Sequence, residues 1–315
     1  MVNSLSSKLV GSVFIIAAIL KLISIDEFEI YIYSFNIFSF LLTTFVSRII
    51  IIGEFILGLF LILKINYKFT WRISLLTLTL FTLFLTYTAI FRQDANCHCF
   101  GELIELNPLQ SIVKNVVMMA LLVVAELQRR KVAESQSCRV AKVKSLKSLL
   151  IVTCTLLIVF VISPPDSIYK MLYSTEKEVS SIDLYESFDE ITKIDFKEDE
   201  LIFDSISDFN TKENQLIVIV SSGCKYCKLG MKKLSLMMKK EELSAENIDV
   251  FIWGSPEGIV NFRKETMTED YDYWHIMPNK AIEITYGRFP IFIWIKEKDI
   301  IKVGDFRDLD DAFVK

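Results

Sequence analysis

The stretch Gln215-Leu216-Ile217-Val218-Ile219-Val220-Ser221-Ser222-Gly223-Cys224-Lys225-Tyr226-Cys227 decides the fold of the second half of this chain. Its first eight residues are a short apolar run rich in β-branched side chains, which predicts a buried strand. Gly223 predicts a turn, and the residues from Lys225 to Lys240 read as a helix. A cysteine at a helix start meets the positive end of the helix dipole and unpaired backbone N–H groups, both of which favour a thiolate. Cys224 is therefore expected to be the attacking sulfur, helped by Lys225 and Lys228. Cys227, one turn further on and more buried, is expected to resolve the mixed disulfide. Two other readings stand beside this one. The four sulfurs of Cys97, Cys99, Cys224 and Cys227, with His98 at hand, are numerous enough for a tetrahedral zinc site. A structural disulfide is the other, although CxxC closes only a small and weakly stabilising loop. A lone strand feeding a helix suits redox chemistry better, so no metal is assigned.

Downstream, Ile248–Gly254 reads as a second strand and Pro256–Glu265 as the helix after it. Gly287-Arg288-Phe289-Pro290 precedes a strand at Ile291–Ile295, Ile300–Val303 is its expected partner strand, and Leu309–Val314 a closing helix. This order and spacing, over roughly Ile182 to Lys315, resembles the thioredoxin superfamily. The resemblance implies a cis peptide at Pro290 facing the CxxC, with the backbone of Phe289 holding a substrate chain. A side chain as bulky as Phe289 departs from the superfamily pattern and is expected to narrow the range of partners.

The first half of the chain is of another kind. Over all 315 residues the hydrophobic content is 52% and the mean hydropathy +0.41, too apolar for an ordinary soluble protein. Nearly all long apolar runs lie before Ser163. Five of them approach the ~20 residues a helix needs to cross a bilayer: Leu9–Ile25, Val46–Leu63, Ile73–Phe91, Leu109–Leu127 and Leu146–Ser163. Hydrocarbon obliges the backbone to bond to itself, so these are expected to be helices. The first lacks a small-residue cleavage site and is followed by further spans, so it reads as a span and not as a signal peptide.

The intervening loops differ in basic residues. Lys64, Lys68 and Arg72 lie between spans two and three, and Arg129, Arg130, Lys131, Arg139, Lys142, Lys144 and Lys147 between spans four and five or at the edge of the fifth. The other two loops carry Asp26, Glu27 and Glu29 with Arg48, and Arg92 with Asp94, Glu102 and Glu105. The positive-inside rule then places the amino terminus and the basic loops in the cytoplasm of a bacterial inner membrane. Both cysteine pairs fall on the opposite, extracytoplasmic side, where disulfides persist. Cys138, in the basic loop, reads as a reduced thiol, and Cys154, inside span five, as a small apolar packer. The net charge of −4 includes an acidic stretch from Asp166 to Asn214 that reads as solvated surface and argues against nucleic acid as a partner.

Cys97-His98-Cys99-Phe100-Gly101-Glu102 sits between spans three and four. Lys21 lies near the end of span one, Glu54 inside span two within Gly53-Glu54-Phe55-Ile56-Leu57-Gly58, and Lys114-Asn115 inside span four. With these features residues 8 to 128 resemble the MauE branch of the MauE/DoxX family of four-helix membrane proteins. The resemblance implies maturation of disulfide-rich exported proteins beside a thioredoxin-like partner, here fused to the same chain. Cysteines one residue apart close a strained, easily reduced disulfide. Arg92 and Lys114 are the nearby charges in sequence that favour a thiolate there. The alternative leaves Cys97 and Cys99 as ordinary thiols.

Glu54 and Lys114 are costly in hydrocarbon and are expected to face each other, a cavity or the interface. Their readings are a structural Glu54–Lys114 ion pair, or a proton path or quinone headgroup contact. Lys21 is expected to snorkel to the interface. His98 reads as a solvated loop residue, with thiolate activation as the alternative, and His275 as packing beside Trp274.

The expected architecture is an all-α membrane bundle of four helices (residues 1–128), a basic loop (129–148), a fifth, tethering transmembrane helix (149–165) and an α/β thioredoxin-like domain (166–315). The expected function is a membrane thiol–disulfide relay between Cys224/Cys227 and Cys97/Cys99. Exported cysteine-containing proteins are its partners and lipid is its surroundings. No cofactor is bound covalently. The layout is similar to vitamin K epoxide reductase homologues fused to thioredoxin domains, an analogy that points to a quinone as acceptor. Only Cys138 is available on the cytoplasmic side, which favours oxidation of substrates over a reductive relay. A non-enzymatic assembly factor with a thioredoxin-like binding module is the reading from a different class.

Overall fold

The computed structural model describes residues 5–92, 96–102, 104, 106–133, 144–173, 191–197, 200–203, 214–241, 245–297 and 299–314. Cys138 and most of the basic loop between the fourth and fifth expected spans lie outside the described residues. The chain divides into two units: residues 1–32 with 42–165, and residues 33–41 with 166–315.

The first unit is helical. It holds all or nearly all of α1 (Leu5–Ile23), α2 (Ile25–Tyr33), α3 (Phe40–Leu63), α4 (Tyr67–Tyr87), α5 (Pro108–Ala133) and α6 (Lys144–Ile162). Among the described residues, four helical segments are long and apolar enough to cross a membrane: Leu5–Ile23, Phe40–Leu63, Tyr67–Arg92 and Pro108–Arg129. They make this a multi-pass membrane protein. The third runs on from α4 through a π-helical turn at Thr88–Arg92. A fifth candidate exists only as a broken pair, Lys147–Ile162 followed by Asp166–Leu172, bent by 65°. Proline at 164 and 165 accounts for the break, because proline lacks the N–H that would continue a helix.

Val10 and Phe14 of α1, Leu61 of α3, Leu78 of α4, and Met118 and Leu122 of α5 form one buried cluster. Ala18, Ile25, Phe28, Ile51, Ile52 and Val159 form a second. Large apolar side chains such as Ile49, Leu83 and Val113 point outward, as a lipid-facing surface requires. Gly11 and Gly58 let α1 and α3 touch: a Cβ on Gly11 would lie 2.7 Å from the Gly58 carbonyl oxygen, and one on Gly58 would lie 2.6 Å from that of Gly11.

Three sequence expectations change here. The acidic stretch after span one is helix α2, not loop. Its Glu29 is buried and paired with Arg48, whose guanidinium also reaches the Ser163 and Pro164 carbonyls at 2.8 and 3.0 Å. Arg48, counted in the sequence with that loop's charges, thus lies inside α3 and ties it to α2 and to the chain just after α6. Cys154 is exposed on α6 and does not pack inside the bundle.

The second unit is built on a mixed seven-stranded sheet. Its strands are β1 (Thr192–Lys197), β2 (Glu200–Phe203), β3 (Asn214–Ser221), β4 (Ile248–Trp253), β5 (Asp272–His275), β6 (Ile291–Lys296) and β7 (Asp299–Gly304), in the order β2-β1-β5-β4-β3-β6-β7. Strands β3, β4 and β5 run parallel, while β6 is antiparallel to β3 and β7 to β6. Its helices are α7 (Asp166–Tyr173), α8 (Lys225–Lys240), α9 (Pro256–Thr266), α10 (Pro278–Thr285) and the single turn α11 (Asp311–Val314).

The period-two pattern of β3 splits its side chains between two cores. Leu216, Val218 and Val220 pack with Met231, Leu234 and Met237 of α8 and with Ile259 and Phe262 of α9. Ile217 and Ile219 pack with Phe251, Ile291, Ile293 and, from α10, Ala281 and Ile284. Gln215 to Ser221 are all buried, as befits an interior strand between β4 and β6, and β3 carries the CxxC out of the core at its C-terminal end. Buried Asp249 on β4 is satisfied by Gln215 Nε2 at 2.6 Å and Trp274 Nε1 at 2.8 Å.

Candidate functional site

Cys224 is the N-cap of α8, with extended backbone (φ −84°, ψ 120°), and its Sγ accepts a hydrogen bond from the N–H of Cys227 at 3.2 Å. Its thiol is lowered to about 6 by the Cys227 side-chain hydrogen bond first, then by the backbone N–H groups of Cys227 and Tyr226, against the opposing effect of burial. The two lysines expected to help do not figure among these causes, and Lys228 is engaged with Glu265 at 2.8 Å. Cys227 is fully buried, and burial drives its thiol far upward, followed by its hydrogen bond to Cys224. One sulfur is thus accessible and ready to ionise, and the other is held back.

The Phe289–Pro290 peptide is cis. Gly230 on α8 brings the helix against this turn: a Cβ there would lie 3.1 Å from Pro290 Cγ and 3.1 Å from the Phe292 ring. Sequence reasoning missed Gly230, although an isolated glycine inside a helical run was its visible signal. Phe289 stands edge-on to Trp253 with ring centroids 6.3 Å apart, and half-exposed Tyr226 packs toward Phe306. Cys224 therefore has aromatic neighbours on its own helix turn and in its own core. His275 ends β5 with partial exposure, its pKa lowered by burial.

The second pair lies in the membrane unit. Cys97 is 3% exposed, while Cys99 keeps partial exposure. The Cys97 N–H bonds to the Leu106 carbonyl at 3.0 Å, and its Sγ lies 2.9 Å from Ser111 Oγ. His98 and Gly101 adopt positive φ (51° and 68°), which folds the loop back on itself. Gly101 is required where it stands, because a Cβ would lie 2.1 Å from Ser24 Oγ and 2.7 Å from the Leu20 carbonyl oxygen at the end of α1. The Glu102 N–H completes the anchor by donating to Ser24 Oγ at 3.1 Å. His98 is not a solvated loop residue: its ring lies against Tyr31 of α2, 4.7 Å between centroids.

The thiol of Cys97 is lowered to about 6, first by the Cys99 side-chain hydrogen bond, then by the Ser111 hydroxyl, the Cys99 backbone and the Lys114 charge, with burial opposing. Cys99 is raised, by its hydrogen bond to Cys97 and by burial. The intramembrane charges are arranged differently from expectation. Glu54 pairs with Lys21, not with Lys114. The Lys21 ammonium lies 2.6 and 2.7 Å from the two carboxylate oxygens, with both residues 4% exposed. It does not snorkel outward; it sits among Phe28 and Phe81, with the ammonium 5.6 and 5.8 Å from their ring centroids. Lys114 instead lies 4.4 Å from the centroid of Phe100, the residue after Cys99. Among the described residues no group of three or more His, Cys, Asp or Glu side chains converges as a metal site would require.

Residues 1–127 match the family model described as "Methylamine utilisation protein MauE". Over 310 aligned residues the chain is 28% identical to "Protein TlpB" of Flavobacterium psychrophilum, an alignment that covers 88% of this chain and 81% of that protein.

Proposed function

We propose that the protein is a membrane-bound thiol–disulfide oxidoreductase in which the CxxC of the α/β unit and the CxC of the helical unit pass electrons to one another. One observation carries this reading. Each pair holds one sulfur lowered to about 6 by its neighbour's hydrogen bond and one sulfur pushed upward. Paired cysteines with unequal acidity suit nucleophilic attack followed by resolution. The cis-Pro290 turn and the strand–CxxC–helix order further support a thioredoxin-like role for the second unit. Loop charges favour an extracytoplasmic location for both pairs, and exported cysteine-containing proteins are the substrates this location offers.

Electrons run, in this proposal, from substrate thiols to Cys224/Cys227, then to Cys97/Cys99, then to a quinone. Glu54 and Lys114 are the candidates for contact with its headgroup or for the accompanying protons. Labelling the redox state of all six cysteines in cells, with and without respiratory inhibition, tests the scheme. Inhibition should shift both pairs to the reduced form together. A CxxC pair that stays oxidised while the CxC pair becomes reduced would refute the coupling.

A further inference from the structure

The two sulfurs of the CxC loop differ in access and in support. Cys97 is buried, and the Ser111 hydroxyl lies 2.9 Å from its sulfur. Cys99 keeps a share of surface. Ser111, Lys114 and Asn115 stand at i, i+3 and i+4, on one face of α5. Ser111 meets Cys97, and the Lys114 ammonium lies over the ring of Phe100 and acts on both sulfurs. Asn115 is buried and donates to Thr82 Oγ1 at 3.3 Å. Lys21 and Glu54, both buried, neutralise each other. Lys114 has no carboxylate partner within ion-pair distance among the described residues, so its own charge is not neutralised by a direct pair. Such a charge is costly away from water unless an anion forms beside it.

We propose that Cys99 is the sulfur through which the CxC pair exchanges disulfides, that Cys97 is the leaving sulfur, and that Ser111 and Lys114 hold the charge Cys97 acquires. This rests on the thiol–disulfide reading above. An incoming thiolate bonds to Cys99 Sγ, the Cys97–Cys99 bond breaks, and its electron pair stays on Cys97 Sγ. One negative charge enters and one remains, now between the Ser111 hydroxyl and the Lys114 ammonium. The second thiol of the incoming dithiol loses its proton, attacks the mixed disulfide and releases Cys99. The dithiol is oxidised by two electrons and the CxC pair is reduced by two. Of the two protons released, one goes to Cys99 and the other to solvent while Cys97 remains a thiolate. The more acidic thiol leaves faster, and Cys99 is the residue of the pair that keeps some surface for an incoming chain to reach.

Ser111 and Lys114 are positioning residues, since they act through Cys97. The other charged and titratable groups around the pair are Lys21 of α1 with its partner Glu54 of α3, and, in the loop itself, Glu102 and His98, the latter against Tyr31 of α2 beside Arg92.

The test uses the full chain in detergent, with Cys138, Cys154, Cys224 and Cys227 replaced by Ser and the CxC pair oxidised. Glutathione is added, the reaction is quenched with acid, and the modified cysteine is located by mass spectrometry. The mixed disulfide is expected on Cys99. Lys114→Gln should slow the opening about tenfold, the factor that ~1.4 kcal/mol of lost charge stabilisation gives, and Lys114→Arg should restore it. Glutathione on Cys97 would overturn the order of attack while leaving the redox reading intact. Equal rates for Lys114→Gln and the parent would overturn the role of Lys114. A pair that glutathione never opens would overturn the redox reading itself.

Discussion

At the scale of single residues, the acidity of Cys224 follows from where one atom sits. Its sulfur occupies an N-cap and receives an N–H that would otherwise be unpaired. Lowering a thiol's pKa populates its reactive, charged form at lower pH. Alkylation of Cys224 in the reduced protein should therefore be half-maximal near pH 6 and nearly flat above pH 7, while Cys227 should stay unlabelled beyond pH 9; a pH series with iodoacetamide checks both. Cys224 and Cys227 were legible in the sequence because spacing alone places them on a helix start. The Lys21–Glu54 pair was not, because 33 residues and the whole of α2 separate its members and only packing decides which of two lysines meets Glu54. Breaking such a buried pair on one side leaves an uncompensated charge, worth about 3–5 kcal/mol. Glu54→Gln should therefore lower the thermal midpoint in detergent strongly, and Lys21→Met with Glu54→Met should recover most of the loss.

At the scale of elements, hydropathy read the first four spans correctly in kind, though it fixed their ends poorly and took the first arm of the bent pair after them for a whole span. It missed α2, whose acidic residues disguise a helix that buries Phe28 and Ile30. The start of α5 shows what a short signal can do. The Gln110 N–H donates to Asn107 Oδ1 at 2.8 Å and the Asn107 N–H donates to Gln110 Oε1 at 3.1 Å, a reciprocal cap ahead of Pro108. This cap sets the phase of the helix and hence the aim of Ser111 and Lys114. Removing it with Asn107→Ala should cost about 1 kcal/mol of stability and slow disulfide exchange at Cys97/Cys99 more than at Cys224/Cys227, as measured by parallel exchange assays on each pair. The contact of α1 with α3 depends on Gly11 and Gly58, whose added methyl groups would strike backbone oxygen. Gly58→Ala should destabilise the bundle by about 1–3 kcal/mol, visible as a lower thermal midpoint with the CxxC chemistry of the α/β unit unchanged.

At the scale of the whole molecule, two units of different architecture each hold one cysteine pair with one sulfur lowered and one raised, but the lowered sulfur is the less buried residue in the CxxC and the buried one in the CxC. The apolar half and the charged half were separable by composition alone, because a membrane and water select opposite residue types. The strand–CxxC–helix order was legible for the same reason that β3 lies in the sheet interior: a run of buried β-branched residues has few other uses. What composition did not show is the set of groups around Cys97, which come from α1, α2, α3, α5 and a loop. The central claim is that the two pairs exchange electrons directly. In a Cys227→Ala variant the Cys224 thiolate has no resolving partner, so an exchange intermediate should persist. Mass spectrometry of the digested, alkylated protein should find a peptide joined by a Cys224–Cys99 disulfide. Capture of other thiols by Cys224 with no bond to either Cys97 or Cys99 would contradict the account.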